Sequence, residues 1–265
     1  MVALFGRNRC KMMAGAVVLA ALVMPLGSVR ADVVVSPNTL ETVEGNSDNA
    51  FPFNIGGPSQ RYQQVYASAD FDALEQLITA ISFRPDLSFG DPFASTLPDI
   101  QINLAYTNAA PDALSSTFAD NISANDTIVF ARGPLTLSSS DTPSDPLNPN
   151  SPRNFDITIP FTTSFIYDPS QGNLLLDVRN FGGGSTTQFD ADNASGDSIS
   201  RATNFGSGDV NSTMAANHDS LGLVTQFTTS AVAPEPAPVP EPGTMALMGV
   251  GLASLAAARR RRKSA

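Results

Sequence analysis

Asp99-Ile100-Gln101-Ile102-Asn103-Leu104-Ala105-Tyr106 alternates polar and apolar side chains. A period of two turns successive side chains to opposite faces, so this stretch reads as a strand with one face in a core. Phe155-Asp156-Ile157-Thr158-Ile159 repeats the pattern and is expected to stop at Pro160. Leu77–Phe83, Thr127–Phe130, Leu135–Ser138, Ser164–Tyr167, Leu174–Arg179 and Leu221–Thr228 are further strand candidates. Turn signals fall between them at Arg84-Pro85-Asp86, Arg132-Gly133-Pro134, Asp168–Gly172 and Phe181–Gly184. Only Phe71–Gln76 and Ala113–Ala119 leave room for helical turns. Strands at this spacing, without long helical patterns, predict an all-β body over residues 32–230, an antiparallel β-sandwich or jelly roll. A solenoid needs a fixed internal period, and none is present. Ser138–Asn154, dense in Ser, Asp, Pro and Asn, is the longest expected loop.

The charge of the body narrows its partners. The whole chain has 265 residues, with a single Cys and a single His. Residues 32–230 carry six Arg, no Lys and 23 acidic residues, a formal charge of −17. Such a surface repels phosphate backbones, which excludes nucleic acid as a partner. Cys10 lies before residue 32, so the body has no thiol for metal or redox chemistry. A domain of this length buries enough surface to dispense with disulfides.

The two ends differ from the body. Residues 1–31 read as an export signal: Arg7, Arg9 and Lys11 precede an apolar run from Met12 to Leu26. Val29 and Ala31 occupy the small-residue places before a cleavage point at Asp32, which implies the Sec route and signal peptidase. At the other end, residues 231–242 form a proline-dense linker favouring polyproline II. Thr244–Ala258, within a tail spanning 243–265, is small, apolar and uncharged. As a helix its fifteen residues would span only ~22 Å, marginal as a transmembrane helix against a ~30 Å hydrocarbon core. Arg259, Arg260, Arg261, Arg262 and Lys263 follow it and should stay cytoplasmic, leaving the body outside.

Val239-Pro240-Glu241-Pro242-Gly243, the short Gly/Ala/Leu-rich helix and the terminal Arg cluster together resemble the PEP-CTERM sorting signal of exported bacterial proteins. That resemblance implies recognition by an exosortase, a membrane-embedded enzyme similar to cysteine proteases. It further implies a transient inner-membrane anchor, a final place in the cell envelope or outside the cell, and a host that makes exopolysaccharide. Pro234-Glu235-Pro236 repeats the tripeptide without a helix behind it and reads as linker. The body, through Phe155–Phe181 and Ser220–Phe227, is similar to uncharacterised extracellular domains attached to such tails, a likeness that bears on fold alone.

Candidate chemistry in the body is sparse. His218 has no Gly-x-Ser-x-Gly elbow to accompany it and reads as a surface or loop-ordering residue. Glycosidases need two carboxylates around the scissile bond, and no pair stands out among twenty Asp and three Glu. Tyr62 and Tyr66 share one strand face, as a sugar-stacking platform or, more simply, as core. Asp190, Asp192 and Asp197, around a Gly-bearing turn, offer oxygens to Ca²⁺ but depart from an EF-hand at Ala194 and lack a closing Glu. A solvated acidic turn is the alternative. The sequence thus points to a non-enzymatic, structural or adhesive envelope protein, held by exopolysaccharide or other surface proteins. The alternative is a secreted carbohydrate-active hydrolase with a calcium-braced jelly roll.

Overall fold

Ile100, Ile102 and Leu104 lie on the buried face of β5 (Phe93–Thr107), as the alternation requires. The computed structural model describes residues 31–57, 59–205, 208–232, 249–253 and 259–260. The remaining strands are β1 (Ala31–Ser36), β2 (Ser47–Asn49), β3 (Gln60–Tyr66), β4 (Gln76–Phe83), β6 (Ala124–Ser139), β7 (Ile157–Tyr167) and β8 (Asn173–Asn180). They continue with β9 (Phe189–Asp192), β10 (Ile199–Thr203), β11 (Asn217–Asp219), β12 (Gly222–Leu223) and β13 (Thr225–Ala231). A four-stranded sheet runs β1-β13-β4-β7, and a six-stranded sheet runs β11-β10-β3-β8-β5-β6. A small third sheet, β12-β9-β2, joins them at one side. All the pairings are antiparallel, and the body is the expected all-β sandwich.

The core fills the space between the two larger sheets. Ile78, Ile81, Phe83, Ile157, Ile159, Phe165 and Phe227 come from one sheet; Tyr62, Tyr66, Ile102, Leu104 and Val178 come from the other. Tyr66 meets Phe227 edge to face across the gap, with ring centroids 4.9 Å apart. The six-stranded sheet is also covered on its outer face. There the segment after β5 lays Leu114 and Phe118 over Val65, Ala105, Leu175 and Ala202, forming a second, smaller core. Gln60–Tyr66 is therefore buried along its whole length, which no simple alternation announces.

Buried polar groups in β3 are all hydrogen-bonded except one oxygen of Gln60. Gln64 points into the main core, where its Nε2 donates to Leu223 O at 2.8 Å and its Oε1 accepts from Leu223 N at 2.8 Å. The Tyr62 hydroxyl donates to that same Oε1. One amide thus completes the backbone pairing of β12, whose short length leaves it without ladder partners on that side. On the outer face, Arg61 grips Asp177 through Nε at 3.1 Å and lies over the Phe118 ring. Gln63 links Asp177 to Asn121 and to the Phe118 carbonyl.

Several expectations need correction. Pro160 does not end a strand: β7 continues through it to Tyr167, absorbing the ring at an irregularity opposite Ala80. β7 is an edge strand, where a missing N–H costs no ladder bond. Arg132-Gly133-Pro134 likewise lies inside β6, another edge strand, with its register shifting against β5. Phe71–Gln76 holds no helical turn; the 3-10 turn precedes it at Ser68–Asp70. The other lies at Phe118–Asn121, at the end of the expected span. The Ser138–Asn154 loop is closed on itself, with Asn154 Nδ2 donating to the carbonyls of Thr142 and Pro143.

Replacing Gln64 by Leu keeps the volume but strands Leu223 N–H and the Tyr62 hydroxyl in the core. The expected loss is about 2–4 kcal/mol in chemical denaturation. Thr96→Val, which breaks an exposed hydroxyl pair with Thr136, serves as the comparison and should cost under about 0.5 kcal/mol.

Candidate functional site

Strands β10 and β11 build one wall of an open polar cleft of about 200 Å³. Arg201 and Asp219 stand opposite each other in the β10–β11 register. The pair is bidentate, Arg201 Nε donating to Asp219 Oδ1 at 2.8 Å and an η nitrogen donating to Oδ2 at 3.2 Å. The other η nitrogen donates to Asn49 Oδ1 at 2.9 Å, so the guanidinium is fixed in place. His218 and Ser220 flank Asp219 along the chain and also line the cleft, and the imidazole is exposed.

The facing wall comes from the covering segment after β5 and from the turn before β10. Asp112 adopts φ 63°, a left-handed conformation unusual outside glycine, and its N–H donates to Ser200 Oγ at 2.8 Å. Its carboxylate accepts from Gly196 N at 2.8 Å and from Ser195 Oγ at 3.1 Å. Burial works to raise the Asp112 carboxyl, but hydrogen bonds from Gly196, Ser220 and Ser195 outweigh it and hold the group below the ordinary carboxylate range. Leu114 supplies the apolar part of the lining.

Beside this cleft the sequence-predicted calcium ligands divide. Asp192 and Asp197 face each other. Asp197 is pushed up to about 7, chiefly by burial and then by the neighbouring carboxyl of Asp192 and the charge of Asp112, against a hydrogen bond from Ile199 N. Its Oδ2 is buried and receives no donor. Asp190 turns instead toward Arg84, whose Nε donates to Asp190 Oδ2 at 2.6 Å. The Phe189–Asp192 stretch, read as part of an acidic turn, is a fully buried strand.

Arg84 is 1 % exposed, and its guanidinium also donates to the carbonyls of Leu40, Glu41 and Val43. Among the described residues, Glu44, Asp86 and Asp190 are the acids whose oxygens gather within 4.8 Å of one another. Burial raises Glu44 above its ordinary value. Burial likewise drives Asp190 up to about 7, against the attraction of Arg84 and with help from the Glu44 charge. Glu44 and Asp190 lie in the field of one guanidinium, yet burial and their mutual repulsion outweigh it, so these two hold protons that free acids would release. Arg84, Glu44 and Asp86 escape a sequence reading because Arg84-Pro85-Asp86 looks like an ordinary turn.

The other expected residues are distributed as follows. Tyr62 and Tyr66 are fully buried, which removes them as a stacking platform. Ala31 and Asp32 open β1, and Asp32 lines a second, acidic cleft of about 290 Å³ with Glu41, Asp70 and Asp72. Val29, Val239, Pro240, Glu241, Pro242, Gly243, Arg261, Arg262 and Lys263 lie outside the described residues. Residues 249–253 and the pair Arg259 and Arg260 are helical. Among the described residues no helix is long and apolar enough to cross a membrane.

Residues 238–262 match the PEP-CTERM protein-sorting motif. The tail is a PEP-CTERM sorting signal. It marks an exported protein that exosortase sorts to the cell surface. The PEP-CTERM match covers the tail and leaves the body aside. Comparison with curated proteins and with solved structures finds no match for the chain.

The raised carboxyls set a pH dependence. Asp190 and Asp197 hold their protons to about 7 in the fold, whereas an unfolded Asp releases its proton near 4. Their contribution to stability is therefore full below about pH 4 and is lost as the pH rises through 7. Calorimetry in the presence of a chelator should show the melting temperature falling from pH 5 to pH 8. Asp197→Asn, a mimic of the protonated acid, should flatten that fall by raising the value at pH 8. An unchanged slope would mean that the Asp192–Asp197 contact carries none of it.

Proposed function

We propose that the protein is a non-catalytic envelope or matrix component, structural or adhesive, that associates with exopolysaccharide or neighbouring surface proteins. It crosses the inner membrane by the Sec route, and signal peptidase cuts between Ala31 and Asp32. The C-terminal helix then serves as a transient inner-membrane anchor until exosortase acts at the Val239–Gly243 strip, which proline on both sides of Glu241 keeps extended. The observation that carries this reading is the sorting signal joined to a body whose cationic groups are spent on architecture. Five of the six body arginines, Arg61, Arg84, Arg132, Arg153 and Arg201, are paired with aspartates. A body of formal charge −17 gains solubility and keeps polyanions away.

Intact mass of the envelope-associated protein from the native host tests the processing. The expected chain begins at Asp32 and lacks Thr244–Ala265, and changing Pro240-Glu241-Pro242 to alanines leaves the tail attached. Recovery of the full tail in a host with working exosortase overturns this route. Fractionation tests the role: the protein should remain with the matrix and enter the soluble fraction when exopolysaccharide is enzymatically removed. Equal solubility with and without the polymer, and with no surface protein retained alongside, would overturn the adhesive reading.

A further inference from the structure

We propose that the cleft between Asp112, Ser195 and the β10–β11 strands is a subsite for one neutral sugar ring. The proposal rests on the matrix reading above and adds where and how the contact is made. The cleft, about 200 Å³ and open to solvent, has room for a single six-membered ring. Its walls present the hydroxyls of Ser195, Ser200 and Ser220, the exposed imidazole of His218, and two carboxylates. Leu114 gives one apolar contact, enough for the C–H face of a ring and too little for a hydrophobic ligand.

Charge removes the other ligand classes. The lining carries Asp112 and Asp219 against Arg201, and that guanidinium is already engaged by Asp219 and Asn49. An anion would meet a net negative wall without a free cationic partner. No set of three acids in this lining converges as metal ligands do, the gathered set among the described residues being Glu44, Asp86 and Asp190 elsewhere. A neutral ligand with many hydroxyls remains. Asp112 and Asp219 suit it because each is held in place, by Gly196 N, Ser195 and Ser220 or by Arg201 and Leu221 N, and a carboxylate has lone pairs beyond those bonds with which to accept. Such acceptors are preorganised, so binding orders little that is not already ordered.

The single histidine of the chain provides the reporter, because its imidazole protons give one identifiable set of signals. Mature protein purified from the host is titrated with the methyl glycosides of glucose, galactose, mannose and N-acetylglucosamine, with methyl glucuronide as the charged comparison. At least one neutral glycoside should move the His218 signals saturably, with Kd on the order of 1 mM, the scale for so small a ligand. Methyl glucuronide should bind about tenfold more weakly. Ser195→Trp, a bulky change at an exposed turn, should weaken binding tenfold or more while the melting temperature stays unchanged. The proposal is overturned if no neutral glycoside shifts His218 at ten times that concentration. It is equally overturned if the charged glycoside binds better, or if a folded Ser195→Trp protein binds as well as the parent. Those failures leave matrix retention intact, whereas loss of retention with glycoside binding preserved would remove the matrix reading alone.

Discussion

The guanidinium of Arg84, shut away from water, decides where three separate pieces of chain can go. It gathers the carbonyls of Leu40, Glu41 and Val43, the carboxylate of Asp190 on β9, and the face of the Phe155 ring. Leaving such a charge unpaired in a core costs about 3–5 kcal/mol, so the segment before β2 and the strand β9 are held as firmly as the sheets. The turn from Asn193 to Asp197 follows directly from β9, and the polar cleft takes one wall from that turn. The geometry of the cleft is thus set from below by an ion pair that it never touches.

Amides do for the six-stranded sheet what Arg84 does for the third. Gln64 stitches β12 to β3 inside the main core, and Gln63 ties the covering segment to the sheet's outer face. A body without thiols has no covalent cross-link to rely on, and it has no lysines to complete surface networks. Its long-range fixing is done by planar side chains that donate and accept at once. Such groups are neutral or fully paired, so they can be buried without an uncompensated charge.

How much of this was legible follows from what each segment faces. β5 and the ends of β7 alternate because one face meets the core and the other meets solvent. β3 was half legible: Tyr62 and Tyr66 mark one strand face, but the other face is covered as well, and glutamine at buried positions reads as polar. β9 was hidden for the same reason: Phe189-Asp190-Ala191-Asp192 contains two acids, and only the partner Arg84, more than a hundred residues away in sequence, makes one of them an interior residue. Proline at Pro160 and at Pro134 misleads because its penalty depends on whether a strand is central or at an edge, which a single sequence does not state. The tail was fully legible, since its signal is a local string read by a membrane enzyme rather than a product of folding. The cleft was not, because Asp112, Ser195, Arg201 and Asp219 come together only through tertiary pairing.

The register of the outermost sheet also governs when the protein can fold. Asp32 faces Thr229 and Ser36 faces Thr225, so the first strand of the body takes its backbone partners from the last. On the Sec route proposed above, the amino end arrives first. β1 must then wait, unpaired, until almost the whole body has crossed, and closing so long a loop is entropically slow. The sheet is completed only as β13 emerges, and the sorting tail follows it within a few residues. On that route folding and the arrival of the tail at the membrane fall at the same moment: the chain stays soft enough to thread for as long as it is being threaded, and becomes rigid as its sorting signal comes within reach.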